Sequence, residues 1–353
     1  MVPGFDPDAR DPDEPDADAP ERDESGAAVL IPAPPPARLG TGTFTIEGRS
    51  APALFVVGWL ATIVGIGLIA VGIMSSDSTA ARILVIVGLI PLSVGLIAGA
   101  GSQAIERRVR GRLPYQGPSP FLVLFASVPI SLLAVLVVSV PLAFVGIPLD
   151  GPFGALVSVT VQAAVYIGLV RLLVVDAGAL DWAAMGVGRP DRRAVAEGLG
   201  GAAWALPIVF VTGIVVSILL RAVPVEPVSP LPPTGTNIGF ALSLLAGVVV
   251  APFGEEILFR AFATTAWVKG LGVTRGVVLG ALVFAFAHVV TISGSSAGDA
   301  FSQAFVAFAG RVPIALALGW LFVRRKTVWA SFGLHAAFNG ILLVIAEIAS
   351  RSS

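Results

Sequence analysis

The chain lacks cysteine and has few of the residues that most often carry chemistry in soluble enzymes. Its 353 residues include no cysteine, two histidines and two tyrosines. The absence of cysteine excludes a disulfide, a thiolate metal site and a cysteine nucleophile. With two histidines only, chemistry that depends on imidazole must use His288 or His335.

Charge is also scarce along the chain. Only 13% of the residues are charged and 56% are hydrophobic, whereas ordinary soluble domains are about 25% charged. The sequence therefore predicts an all-α, polytopic membrane protein. No basic stripe interleaved with aromatic residues is present, so we expect no nucleic-acid partner, and no pattern indicates an oligomeric state.

The first 47 residues differ from the rest in composition. Ten of the twenty-three acidic residues lie in the first 25 positions, among many prolines and alanines. Such a composition buries too little apolar surface to fold, which predicts a disordered, acidic, proline-rich tail over residues 1–47. It is not typical of a secretory signal, because the first apolar run begins after residue 50.

Nine apolar runs are long enough to cross a bilayer, for which about 20 residues are needed. The predicted spans are residues 52–74, 83–101, 121–147, 155–175, 201–220, 238–268, 275–294, 302–323 and 328–349. We expect five helices over residues 48–236 and a C-terminal domain of four helices over residues 237–353.

Lysine and arginine are distributed unequally between alternate loops, and this asymmetry predicts orientation. One set of loops holds twelve: Arg107, Arg108, Arg110, Arg112, Arg189, Arg192, Arg193, Lys269, Arg275, Arg324, Arg325 and Lys326. The other set holds three: Arg82, Arg221 and Arg351. The count predicts a multi-pass cell-membrane protein with a cytoplasmic N-terminus and a C-terminus outside.

Ionisable and strongly polar residues within the predicted spans are concentrated near the C-terminus. They are Glu255, Glu256, Arg260, His288, Arg311, His335 and Asn339. A charged side chain at the bilayer centre costs about 2.5 to 3.5 kcal/mol on insertion scales, so three unpaired ones would cost roughly 8 to 10 kcal/mol. The charges are therefore expected to pair in a cavity lined by protein. Arg311 is interpreted as a structural or pathway residue.

Helical spacing separates the two adjacent glutamates. Glu256 and Arg260 are four residues apart, in the order that favours an ion pair on one helix face. Glu255 is turned about 100° away from that face. Pro252 removes a backbone hydrogen bond and can kink the helix beside the acids. At about 1.5 Å per residue, Glu255 and His288 each lie about 20 Å from the basic ends of their helices.

The polar set can support hydrolysis of a peptide bond. A carboxylate in an apolar cavity is a competent general base near neutral pH. We expect Glu255 to activate water with the help of one histidine. His335 and Asn339, also four residues apart, can donate to an oxyanion. No serine, cysteine or aspartate is placed to act as a nucleophile with these groups.

Three short motifs carry a resemblance to a known family. "EEILFR", "FAFAH" and "HAAFN" follow one another on successive apolar segments. They resemble the EExxxR, FxxxH and HxxxN motifs of the CAAX protease and bacteriocin-processing family, the type II CAAX prenyl endopeptidase group. The resemblance covers about residues 238 to 345, and the first five spans carry no motif of that family.

The resemblance implies an all-helical intramembrane glutamic endopeptidase whose site opens toward the cytosol. Carried over, Glu255 matches the water-activating glutamate, and Glu256 and Arg260 match its supporting pair. His288 matches the histidine of the second motif, while His335 and Asn339 match the pair assigned to the oxyanion. The implied partner is a membrane-associated protein or peptide substrate, which in eukaryotic relatives is prenylated, within a lipid bilayer. No cofactor is implied.

Two other functions are compatible with the same residues. Glu255, His288 and His335 could form a two-histidine, one-carboxylate zinc site, which makes zinc the alternative cofactor, although no HExxH motif is present. A proton-coupled transporter or a non-catalytic immunity protein could use the polar set as a relay or a binding pocket. Against a transporter, the sequence shows no pair of broken helices in matching halves.

Overall fold

The computed structural model describes residues 43–46, 49–111, 113–223, 225, 233–290 and 292–352. Most of the predicted acidic tail, residues 1–42, lies outside this part of the chain. A short antiparallel hairpin of β1 (Thr43–Ile46) and β2 (Arg49–Pro52) precedes the first helix, with Thr43 opposite Pro52. The described chain is otherwise helical, which confirms the predicted all-α membrane fold.

In the described residues nine helices follow, one for each predicted span. They are α1 (Ala53–Met74), α2 (Ser78–Arg110), α3 (Pro120–Phe144), α4 (Pro152–Val175), α5 (Arg192–Ala222), α6 (Asn237–Leu271), α7 (Val273–Ala287), α8 (Ala297–Arg325) and α9 (Val328–Ser352). Eight of them are long and apolar enough to cross a membrane. The exception is α7, which has 15 residues and ends at Ala287, seven residues before its predicted end.

Helices α1 and α2 form an antiparallel hairpin with glycines at their contact. Gly58, Gly65 and Gly72 recur every seven residues and are the buried residues of α1. A Cβ atom on Gly65 would lie 2.5 Å from the backbone nitrogen of Leu92. Since van der Waals packing rather than hydrophobicity holds helices together in lipid, glycine at these positions lets the backbones approach closely.

The best-packed part of the bundle surrounds the second half of α6. All nine residues from Glu256 to Thr264 are buried, and they pack with buried residues of α3, α4 and α7 such as Val123, Val170 and Phe284. A second cluster joins α5, α8 and α9 through Ala205, Leu318 and Leu334. The first cluster encloses the charged residues of α6 in protein.

The helix ends form two faces. We call the ends of α2, α4, α6 and α8, with the starts of the helices that follow them, the basic face, because the larger set of lysines and arginines lies there. Trp329 Nε1 donates to Gly188 O at 3.1 Å across this face. At the opposite face, Glu347 near the end of α9 accepts from the backbone nitrogen of Thr234 at 2.9 Å.

Candidate functional site

Helix α6 changes its winding on both sides of the two glutamates. Its segments Leu245–Val250 and Glu256–Thr264 are π-helical, and Ala251–Glu255 between them is α-helical. In the first π segment each N–H bonds to the carbonyl five residues earlier, as Ala251 N does to Ala246 O. Segments of π-helix within longer helices are often found at functional sites, because they alter the direction of the side chains.

Pro252 and Asn339 are connected through this winding. Continuing the same pattern, residue 252 would bond to the carbonyl of Gly247, but proline has no N–H to donate. The side chain of Asn339 donates Nδ2–H to that Gly247 oxygen at 2.8 Å instead. The carbonyl left free by Pro252 therefore holds an amide of α9 beside α6, and the second Nδ2 hydrogen of Asn339 remains for another acceptor.

Both histidines approach Glu255. Its Oε2 atom lies 3.6 Å from His288 Nε2 and 3.7 Å from His335 Nε2. These separations are longer than a direct hydrogen bond. The side chain of Glu255 is 16% exposed and that of His288 is 28% exposed, so both are accessible from one side. Residues on α6, α7 and α9 thus meet at one place, as the sequence predicted.

Glu256 lies on the other side of the same helix turn, within the protein. Its Oε1 atom is 3.3 Å from Arg260 Nη1 and accepts from His335 Nδ1 at 2.9 Å. Glu256 is completely buried and Arg260 is 2% exposed. The predicted Glu256–Arg260 pair is present in the structure, and His335 joins it from α9. The spacing of residues within α6 could not predict that His335 contacts Glu256.

Phe284 supports the group from α7. The Arg260 guanidinium carbon lies 3.9 Å from the centre of its ring. The ring also packs at 4.5 Å from the ring of His288 and at 5.7 Å from that of His335, centre to centre. One aromatic side chain therefore separates Arg260 from the space in front of Glu255 and fixes both imidazoles.

Hydrogen bonds determine which ring nitrogen of each histidine faces Glu255. His288 Nδ1 lies 2.8 Å from Phe284 O, and a carbonyl can only accept, so Nδ1 carries the hydrogen. By the same reasoning His335 Nδ1–H donates to the carboxylate of Glu256. Both histidines therefore direct Nε2 toward Glu255, with the opposite nitrogen held by a partner.

A cavity of about 1230 Å³ lies in front of these groups. Glu255, His288, His335 and Asn339 all line it, whereas Glu256 and Arg260 do not. Its remaining wall is mostly apolar and includes residues of α4 and α5, such as Val159 and Val216. The six residues predicted for the site thus divide into four that face the cavity and two that lie behind them.

The cavity also contains a cation that sequence reasoning had interpreted as structural or as part of a pathway. Arg311 of α8 lines it, and its Nη1 donates to Ala307 O at 3.0 Å. Among the described residues, no carboxylate lies within ion-pair distance of Arg311. Its surroundings in "VAFAGRVPIALA" are apolar, and only the packing of α8 against the other helices reveals that it shares a cavity with Glu255.

The cavity reaches the opposite face and not the basic face. Its lining includes Asp150, Thr234 and Ile292, from three of the four loops that join helices at the opposite face. Among the described residues, no loop residue of the basic face contributes to it. A site open to the cytosol and a cytoplasmic location of the basic loops, both expected from the sequence, therefore cannot hold together.

Comparison with known proteins identifies one domain. Residues 237–341 match the family model described as type II CAAX prenyl endopeptidase Rce1-like. This stretch contains α6, α7, α8 and the first half of α9, and all six residues predicted for the site fall inside it. No curated protein and no solved structure matches the chain.

Proposed function

We propose, on the premise that residues 237–341 form an Rce1-like domain of the CAAX protease family, that this multi-pass membrane protein hydrolyses a peptide bond with water activated by Glu255. The observation that carries the proposal is the approach of two Nε2 atoms to one carboxylate oxygen of Glu255, at 3.6 and 3.7 Å, at the end of a cavity. Neither separation allows a good direct hydrogen bond, so a water molecule held on the cavity side of these atoms can contact the carboxylate and an imidazole at once.

Glu255 is the proposed general base. It removes a proton from water as the water oxygen bonds to the carbonyl carbon of the substrate, which gives a tetrahedral oxyanion. His288 holds the water on its Nε2 side, because Nδ1 is fixed to Phe284 O. When the C–N bond breaks, the protonated Glu255 returns the proton to the leaving nitrogen. No covalent intermediate with the protein is required.

His335 and Asn339 are proposed to stabilise the oxyanion. When both nitrogens of His335 carry hydrogens, Nδ1–H donates to Glu256 and Nε2–H faces the cavity. Asn339 contributes its second Nδ2 hydrogen. Donors fixed in advance in a site with little water are among the largest contributions to catalysis. Arg311 adds a positive charge to the same cavity.

A zinc-dependent reaction is the second candidate, because the same three groups are zinc ligands in other proteins. The Nδ1 hydrogen bonds of both histidines also resemble those that orient zinc ligands. However, among the described residues no group of three histidine, cysteine or acidic side chains has a geometry suited to a metal ion. A chelator test distinguishes the two reactions.

The test compares membranes that contain the parent protein with membranes that contain Glu255→Gln. Peptide termini that appear with the parent should be absent with the variant, while both proteins unfold at the same temperature. On a peptide found in this way, kcat should fall about 10² to 10⁴-fold, the usual contribution of a general base. Glu197→Gln, an ion-pair partner of Arg325 at the basic face, is the control and should cleave normally.

Two results would reject the mechanism. Equal cleavage by folded Glu255→Gln would remove Glu255 from the reaction. Loss of cleavage with 1,10-phenanthroline, together with one zinc ion per purified chain, would favour the metal-dependent alternative. We expect full activity after chelation.

A further inference from the structure

The cavity occupies only the half of the bundle that adjoins the opposite face. On α6 its lining begins at Ile238 and ends at Glu255, with no contribution from residues 256–271. On α4 it stops at Val159. Helix α7 contributes Phe284 and His288, at its end nearest this face, and α8 contributes nothing beyond Ile314. Each of these helices therefore lines the cavity from its opposite-face end to about its middle.

The half of the bundle toward the basic face is packed. Every residue of α6 from Glu256 to Thr264 is buried, and so are Ala266 and Trp267 in the next turn. Trp267 packs against Phe121 of α3, with ring centres 5.3 Å apart. In this region the charged residues behind Glu255 are covered by side chains, so a peptide cannot reach Glu255 from the basic face without unfolding α6.

The distribution of charge identifies the two faces of the membrane. Basic residues near helix ends remain in the cytoplasm in most membrane proteins. The described helices keep the predicted alternation, so the ends that carry Arg107, Arg193, Lys269 and Arg325 lie on one face. In the part of the chain that the structure describes, the opposite face has only Arg82, Arg221 and Arg351 near its helix ends. By this rule the cavity opens on the extracytoplasmic side.

We infer that the site accepts its substrate from the extracytoplasmic side of the membrane. The substrate class is then a peptide segment exposed at the outer surface, such as part of an exported protein that stays membrane-bound, and not a cytosolic prenylated C-terminus. The identification of the bound segment as a substrate rests on the proposed function. The direction of the opening rests only on the lining residues of the cavity and on the distribution of charge.

The dimensions of the cavity limit how the segment binds. From Asn237 to Glu255 along α6 the rise is at most about 27 Å, at 1.5 Å per residue. An extended peptide advances about 3.3 Å per residue, so roughly eight residues must enter to bring a bond to Glu255. Phe153, Val216 and Phe338 line this path, which favours an apolar segment.

The absence of cysteine makes the inference directly testable. Three single-cysteine variants report on the cavity: Asp150→Cys and Pro233→Cys at its rim, both exposed, and Ala307→Cys on its wall. Arg193→Cys, exposed at the basic face, is the matched control. Intact cells are treated with a small, charged methanethiosulfonate reagent that does not cross membranes, and remaining thiols are then counted after solubilisation.

We expect the three cavity variants to react in intact cells and Arg193→Cys to react only after the membrane is opened. The reverse pattern would overturn the inference and place the opening in the cytosol. Reaction at the rim without reaction at Ala307→Cys would show that the cavity is closed to the outside, which also overturns it. Because labelling needs no cleavage, an inactive protein that labels as expected would reject the proposed function and leave the direction of opening intact.

Discussion

At the scale of single residues, the adjacent glutamates Glu255 and Glu256 have different environments because a helix turns about 100° per residue. Glu255 faces the cavity, whereas Glu256 is buried between Arg260 and His335. A buried charge that loses its partner is costly, since neither water nor another charge replaces the lost interaction. The energetic role of Arg260 is therefore to neutralise Glu256, and its side chain does not line the cavity.

Replacing Arg260 by methionine should destabilise the fold by about 3 to 5 kcal/mol, the usual cost of removing one member of a buried pair. The double variant Glu256→Gln, Arg260→Met should be less destabilised than Arg260→Met alone, because it leaves no buried carboxylate. Unfolding of the purified protein in detergent measures both values. Arg324→Met, which removes an exposed arginine stacked on Trp320 at the basic face, should change stability little.

Whether Glu256 and Arg260 stabilise each other is tested by comparing the single variants Glu256→Gln and Arg260→Met with the double variant. If the double variant is destabilised by the sum of the two single effects, the two side chains do not interact energetically. Their separation of 3.3 Å would then reflect proximity alone.

At the scale of helices, the winding of α6 places both the acid and the amide. The π-helical segment before Pro252 shifts the hydrogen-bond partner by one residue, so Gly247 O is the acceptor left for Asn339. In the alternative α-helical pattern, Val248 would lose its donor instead. The local winding of α6 thus determines which backbone carbonyl is left free to accept from Asn339 of α9.

Pro252→Ala should lower activity without lowering stability. Alanine restores an N–H that can bond to Gly247 O, which releases the Asn339 amide from its fixed position, and a displacement of about 1 Å near a reaction centre can cost up to roughly 10² in rate. Alanine is also a far better helix residue than proline, so the unfolding temperature should stay equal or rise. Steady-state kinetics and thermal unfolding of the same preparation measure the two effects.

Pro129→Ala is a suitable control, because it also replaces a proline inside a membrane helix, in α3, outside the cavity. If Pro252→Ala keeps full kcat while Asn339→Ala loses it, Asn339 needs no anchoring by Gly247. That outcome would limit its role to the second Nδ2 hydrogen.

The sequence could predict those features that depend on neighbours along the chain. Apolar length predicted every helix, and the spacing of Glu256 and Arg260 predicted their pair. Other features depend on contacts between helices. The contact of His335 with Glu256 joins residues 79 positions apart, and Arg311 enters the cavity only through the packing of α8. The early end of α7, at Ala287, has no counterpart in apolar length.

At the scale of the whole molecule, the residues matched by the family and the residues that line the cavity do not coincide. The matched residues 237–341 supply the polar side chains, but α4 and α5 supply part of the wall through residues such as Phe153, Ala155 and Thr212. Helix α4 also lies directly against α6, since a Cβ atom on Gly254 would be 2.7 Å from Ala163 Cβ. Among the described lining residues, none belongs to α1 or α2.

Removing α1 and α2 together should therefore preserve activity, whereas removing α1 to α5 should abolish it. A chain of residues 113–353 lacks two crossings, an even number, so the remaining helices should retain their orientation. Helix α2 contacts the rest mainly through α3 and through the loop before α3, where Arg107 donates to Gly117 O at 2.8 Å. A chain of residues 237–353 keeps all six predicted site residues but lacks the wall formed by α4 and α5. Both chains are compared with the parent for kcat/KM on one substrate peptide, after confirming that each purifies as a folded, monodisperse protein.

Cleavage by the shorter chain would show that the matched domain is sufficient and that the walls are dispensable. Loss of cleavage by a folded 113–353 chain would instead assign a catalytic or substrate-binding role to the α1–α2 hairpin.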